Sequence, residues 1–390
     1  MVGSAFTPPA RLTNELPVFQ LAAKSVRPPL PSTMRTSMEV RAATAKGPRG
    51  AGAVKDSRGM SGTLMLVLTF IASAVANRVA NRVLLVPMAG HTLLLSLATS
   101  TAQLTAYLLL LAWRAWKQLA ISDMCQFVAA HWKLLLLVGT CEGAFYPLVF
   151  AAAAKLPGGL VQVLNQSVVP YTVAFSVFLL GRRYTPVQLV GVATVLLGVL
   201  VAVGLPAGSL WSHKVVMHDV LQCAGAYALL ALAVTLKDRI FRNERETATT
   251  AVEEPQILLV SAVGAAVQLL VQLVAFPLAF PGHVHPDVLR EGLDELMGRK
   301  LSSVPWIAFT YWVCNIIFSV SALRLVRRAS ASTVVLANVA ALPLSALVFC
   351  CPLPLLKPQQ FRWTFAMSLL LVAGGNLLYG RSSPKPSRTK

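Results

Sequence analysis

Between Leu156 and Gly204 two long apolar runs flank a short basic elbow, Gly181-Arg182-Arg183-Tyr184. An apolar run of about 20 residues crosses a bilayer as a helix. The hydrocarbon offers the backbone no partners, so a lone span must be helical. The first run also carries Gln162, Asn165, Gln166 and Pro170. Amides at that depth are costly unless they meet a partner or a polar cavity. The stretch predicts a hairpin of membrane helices that handles something polar partway across.

The pattern recurs along the chain. Its 390 residues contain ten apolar runs, near 62–86, 91–113, 132–154, 159–180, 186–205, 216–236, 256–280, 304–325, 331–351 and 361–380. Hydrophobic residues make up 56% and charged residues 13%, against about 25% charged in a soluble domain. The runs do not alternate, which argues against a β-barrel. The predicted fold class is an all-α polytopic membrane protein with ten transmembrane helices. The net charge of +19 lies between the runs and in the tails, where topology explains it better than nucleic-acid binding. Loops on the N-terminal side and the C-terminal tail hold sixteen Lys and Arg, with Lys133 and Lys237 counted among them; the other side holds seven. Both termini are therefore expected on one side.

Residues 1–60 differ in kind. They hold nine Lys and Arg against Glu15, Glu39 and Asp56, with frequent Ser, Thr, Ala and Pro. That is the composition of a transit peptide in a disordered leader. Val40-Arg41-Ala42-Ala43 fits a processing site cut after Ala42. The expected domains are the leader at 1–60, a ten-helix domain at 61–380 and a basic tail at 381–390.

The ten runs divide into 61–205 and 216–380. Asn165 precedes Pro170 by five residues, and Asn338 precedes Pro343 by five. Tyr184-Thr185-Pro186 then leads into a run with Gly191 and Gly198; Leu356-Lys357-Pro358 leads into one with Gly374 and Gly375. Five helices is an odd number, so matching helices cross in opposite directions. A 5+5 inverted repeat is predicted, with a site near the midplane, and Pro170 and Pro343 are expected to bend their helices.

Several polar residues lie inside the runs. Arg78, after Asn77, could meet a carboxylate bidentately or snorkel to the interface. Glu142 could bind an amine, carry a coupling proton or pair with Arg78. Gln162 and Gln166 share a helix face with Asn165 beside it, which suits either a zwitterionic peptide-like solute or interhelical bonding. Asn338 is expected to face them across the pseudo-twofold axis, and Gln268 and Asn315 are further binding candidates. The six cysteines and six histidines have no metal-ligand spacing. No enzyme motif or cofactor loop is evident.

These residues together resemble the chloroquine-resistance-transporter-like family of the drug/metabolite transporter superfamily, and the plant and algal plastid members most. The resemblance covers roughly 65–380. It rests on Asn77-Arg78-Val79 with Leu85-Val86-Pro87-Met88, on Leu156-Pro157-Gly158, and on Gln166 leading into Phe178-Leu179-Leu180-Gly181-Arg182-Arg183-Tyr184. It continues through Leu236-Lys237-Asp238 with Ile240-Phe241, Gly264 with Gln268, Asn315, and Leu353-Pro354-Leu355. It implies a secondary transporter of glutathione, γ-glutamylcysteine or related thiol or zwitterionic small peptides, working by alternating access in the plastid envelope, inner membrane. It also implies that Asn77 and Arg78 line the cavity. Two departures bear on specificity. The loop near 281–303 lacks the paired cysteines usual in the family, and Asn165-Gln166-Ser167 stands where plastid relatives often have Ser-Gln-Thr. A sugar-phosphate or other organic-anion exchanger, and a non-transporting receptor or assembly subunit, are the alternatives. Small solute and lipid bilayer are the expected partners.

Overall fold

The computed structural model describes residues 55–118, 121–204, 217–247, 254–279, 285–328, 331–353, 355–356 and 363–381. The expected leader up to residue 54, with its processing site, and the tail from 382 lie outside the described residues. By contacts the chain separates into two units, Met1–Arg58 and Gly59–Lys390, and the second holds the apolar runs.

The described residues form helices joined by short links. In chain order these are α1 (Lys55–Leu84), α2 (Thr92–Gln118), α3 (Ile121–Lys155), α4 (Gly158–Leu164), a 3-10 turn (Asn165–Ser167), α5 (Val168–Leu180), α6 (Pro186–Gly204), α7 (Met217–Thr247), α8 (Glu254–Ala279), α9 (Pro286–Leu296), α10 (Val304–Arg328), α11 (Ala331–Cys350) and α12 (Trp363–Arg381). Apart from α9 they fall on the ten apolar runs, with α4, the turn and α5 making one run. Among the described residues, eight helical stretches are long and apolar enough to cross a membrane. In α11 and α12 the apolar stretches are shorter, Ala337–Cys350 and Ala366–Gly380.

Two features depart from the sequence-based expectations, and the two prolines expected to bend helices differ in their surroundings. The loop before α10 contains helix α9, on which hydrophobic and charged residues segregate to opposite faces. Lys133 and Lys237, expected in loops, lie inside the spanning stretches Met124–Lys155 and Met217–Phe241. Of the two prolines expected to bend helices, only Pro170 follows a break in the α-helical pattern. Proline cannot donate to the carbonyl four residues back, here that of Gln166, and the 3-10 turn occupies that place. Pro343 sits inside the unbroken α-helix α11; neighbouring helices can absorb such a lost bond in a membrane.

Small residues set the closest crossings, as expected where lipid competes with side chains for apolar contact. A Cβ on Gly191 of α6 would lie 2.6 Å from the Gly375 carbonyl oxygen of α12, and one on Gly375 would lie 2.6 Å from that of Gly191. On α3, a Cβ on Gly139 would lie 2.9 Å from the Gly264 oxygen, and one on Gly143 would lie 3.1 Å from the Gln268 oxygen, both on α8. Helix α3 also packs along α7, α2 along α8 and α5 along α7. At the elbow the chain needs a left-handed residue. Gly181 has φ 61°, and its N–H and that of Arg182 close α5 by donating to Val177 and Ser176.

Charged ends meet as alternating helix directions require. Lys155, ending α3, lies 3.3 Å from Asp219, at the start of α7. Arg182, after α5, lies 2.6 Å from Asp238 towards the end of α7. The Tyr184 ring stands 6.2 Å from that of Tyr379, near the end of α12.

Candidate functional site

Helix α1 places Arg78 inside the bundle, 9% exposed. Its Nη2 donates to Asn338 Oδ1 of α11 at 2.6 Å, and Nη1 to Ser345 Oγ at 3.4 Å. The guanidinium therefore points inward rather than to the interface. Both described partners are neutral. Ser345 is seven residues beyond Asn338, two helical turns, so one face of α11 presents both. Tyr227 of α7 is within electrostatic reach of the same guanidinium. One turn after Arg78, Arg82 donates to the Ala153 carbonyl at the end of α3, at 2.5 Å.

The amides of the fourth run lie on α4 and the 3-10 turn. Helix α4 packs against α11 and α12, and the 3-10 turn touches α6 and α7. Gln166 is buried, and its Oε1 accepts from Asn376 Nδ2 of α12 at 3.4 Å. Asn165 and Gln162 are half-buried. The sequence-based expectation puts Asn338 opposite these amides. It lies on a helix that touches α4, but its described hydrogen bond goes to Arg78.

A second polar group binds α2 to α8. Gln268 Nε2 donates to Ser100 Oγ at 2.6 Å, and Ser100 Oγ donates to Gln272 Oε1 at 2.8 Å. Gln272 Nε2 reaches the Gly143 carbonyl of α3 at 3.3 Å. Nearby, Gln103 donates to Tyr146 Oη at 2.9 Å. This network gives Gln268 an interhelical partner. It is separate in its bonds from the Arg78 group.

Glu142 has a partner that the sequence does not announce. Lys237 Nζ of α7 lies 2.6 Å from Glu142 Oε1. Pairing with Arg78 is one of the three roles open to Glu142 from sequence; its described ion pair is with Lys237 instead. Asn315 of α10 is 5% exposed and has no described bond to either group.

Unpartnered atoms separate the two groups. Buried without a hydrogen-bond partner, among the described residues, are Asn77 Oδ1, Asn81 Oδ1, Arg82 Nε, His91 Nδ1, Gln162 Oε1, Gln166 Nε2, Gln256 Oε1, Asn315 Nδ2 and Asn376 Oδ1. Gln268 and Gln272 are absent from this set. A buried polar atom left unmade costs about 1–3 kcal/mol. The Ser100 network is thus satisfied scaffold, and the unpartnered amide atoms on α1, α4, the 3-10 turn, α10 and α12 are the unused capacity nearest the candidate residues. Sequence reasoning misses Asn376, Lys237 and Gln272. Asn376 could have been found as an amide midway along an apolar run, next to Gly375.

An apolar groove of about 710 Å³ opens elsewhere, lined by Met124, Cys125, Val128, Ala129 and Trp132 of α3 and Leu259 of α8. It contains none of the candidate residues.

The fold and interior define a multi-pass α-helical membrane protein with a polar region between its helices. The sequence profile of the CRT-like, chloroquine-resistance transporter-like, family matches residues 63–283, and the chain belongs to that family. It is 26% identical to Protein CLT2, chloroplastic, of Arabidopsis thaliana over 344 residues, 83% of this chain and 77% of the relative. Protein CLT1, chloroplastic, from the same plant is 25% identical over 349 residues, 84% and 75% of the two chains. Crt homolog 3 of Dictyostelium discoideum is 30% identical over 143 residues, 36% and 29%. One solved structure aligns over 82% of this chain and 96% of its own, at a TM-score of 0.44 and 18% identity.

Proposed function

We propose that this protein is a secondary transporter that moves a small anionic or zwitterionic solute, glutathione or γ-glutamylcysteine in class, across the plastid envelope. The observation that carries the reading is Arg78: a buried cation whose described partners are neutral, on the helix that also holds Asn77, whose Oδ1 is unpartnered, with further unpartnered amide atoms at Gln162, Gln166 and Asn376. A buried cation is expensive without a counter-charge. A substrate carboxylate would supply one, in bidentate geometry. The free amide atoms would meet the peptide bonds and amine of the same solute. Asn338 then acts as the residue that holds Arg78 ready, and Gln162, Asn165, Gln166 and Asn77 as cavity wall. A doubly charged phosphate would want more than one cation here, and Lys237 is already engaged by Glu142.

Alternating access by a 5+5 inverted repeat, 61–205 against 216–380, is the mechanism we infer. The reciprocal contact of Gly191 and Gly375 in the last helix of each half supports it. The chloroplastic relatives and the basic leader support the plastid, and the inner envelope is our reading of the membrane. The test is uptake of radiolabelled glutathione and γ-glutamylcysteine by proteoliposomes holding the full chain. Uptake above empty liposomes, strongly reduced at low substrate on Arg78→Ala at equal reconstitution, is expected. No uptake of either thiol, with a panel of other organic anions taken up instead, would refute the substrate assignment.

A further inference from the structure

The pair Glu142–Lys237 bridges α3 and α7 within the spanning stretches, with the Glu142 side chain 14% exposed and that of Lys237 21%. The two residues are not equally confined. Glu142 stands near the middle of Met124–Lys155, whereas Lys237 is four residues from the end of Met217–Phe241. The lysine therefore reaches inward to a deeper carboxylate. The other titratable groups near Glu142 are Tyr107 of α2 and Cys141 and Tyr146 of its own helix. From α8 comes Gly264, where a Cβ would stand 3.4 Å from Glu142 Oε2. Towards the end of α7, Asp238 is engaged by Arg182 at 2.6 Å.

Each charge compensates the other, and either alone is costly at this depth. A proton on Glu142 would leave a neutral acid, which the site can keep, and an ammonium without a counter-charge. Lys237 has a flexible four-carbon stem and an interface one turn away, so it can snorkel out. Glu142 has no such exit. The pair thus has two arrangements, engaged and released, and the first fastens two helices that pack along much of their length.

We propose that Glu142–Lys237 is a latch holding α7 on α3, which opens when a proton entering from the side where α7 ends neutralises Glu142. The proton adds to the carboxylate from water; Lys237 keeps its own proton, and no covalent bond between residues changes. The latch rests on the transporter reading only for its use, which is to make movement of α7 conditional on proton arrival.

The experiment uses the full chain without native cysteines, in lipid nanodiscs, with spin labels at Leu137→Cys and Val234→Cys. Both positions are exposed on the outer faces of α3 and α7. With the pair intact, acidification should bring in a longer inter-label distance that is absent at alkaline pH. Glu142→Gln should show the longer distance at every pH, and Glu142→Asp should keep the response. Lys237→Met should lose it and Lys237→Arg should keep it. Each variant is first required to be monodisperse; if Glu142→Gln is not, the Lys237→Met and Glu142→Asp comparison decides. A pH response that persists in Lys237→Met, or a distance unaffected by pH in the intact protein, overturns the latch. The readout needs no substrate. A Glu142-dependent shift without thiol uptake would therefore count against the thiol-substrate reading and leave the latch standing.

Discussion

Arg78 of α1 donates to Asn338 of α11 across 2.6 Å, joining helices 260 residues apart in the chain. A neutral acceptor holds the guanidinium in place without cancelling its charge. Removing the charge should therefore weaken substrate capture more than it weakens the fold. A charge-assisted hydrogen bond is worth about 1.5–3 kcal/mol, so Arg78→Ala should raise the KM for thiol-peptide uptake roughly 10- to 100-fold. Arg78→Lys should recover part of this, because a lysine restores charge but not the planar fork. The check is initial uptake rate against substrate concentration at matched protein density.

Gln166 and Asn376 share one long hydrogen bond at 3.4 Å, and each keeps a buried polar atom unpartnered. If those atoms serve a solute, Gln166→Leu and Asn376→Leu should each raise KM while sparing stability, since burying apolar surface offsets the lost bond. Their effects should also be non-additive, as expected for residues in contact. A double-mutant cycle on KM checks this, with the thermal midpoint of detergent-purified protein as control.

How far the sequence could lead differs from one residue to the next. The ten apolar runs mark the helices because length and hydropathy decide a span without tertiary help. Arg182 and Arg183 mark an elbow for the same reason, and the break before Pro170 follows from proline's missing donor. Lys237 escapes because it directly follows the apolar run near 216–236 and so looks like a loop cation; only the position of Glu142 on α3 shows that it turns inward. Gln268 and Asn338 look alike as intramembrane amides, yet one is bound in the Ser100 network and the other holds an arginine. That distinction depends on which helices are neighbours, and periodicity within one helix cannot supply it.

The Ser100 network gives a contrasting prediction. Gln272→Leu removes bonds to Ser100 and to the Gly143 carbonyl. Interhelical polar bonds in membranes average about 0.6 kcal/mol and reach about 1.7. The variant should therefore lower the thermal midpoint modestly and leave KM unchanged. A raised KM at unchanged stability would move these glutamines from scaffold to site.

The crossing of α6 and α12 offers the sharpest structural test. Each glycine's absent side chain is filled by the other's backbone, at 2.6 Å from the opposing carbonyl oxygen. Backbone cannot swing aside as a side chain can, so Gly191→Leu or Gly375→Leu must push the two helices apart. Overpacking of this kind costs typically about 1–3 kcal/mol, and an alanine at either place should already be felt. Gly181→Ala strains the elbow instead, because its backbone sits at φ 61°, where non-glycine residues are disfavoured. Thermal midpoints of the three variants should all fall. For Gly191→Leu and Gly375→Leu together the loss should be less than the sum of the singles, because the first already separates the backbones that the second would push. Equal, additive losses would mean that the two glycines do not share a crossing.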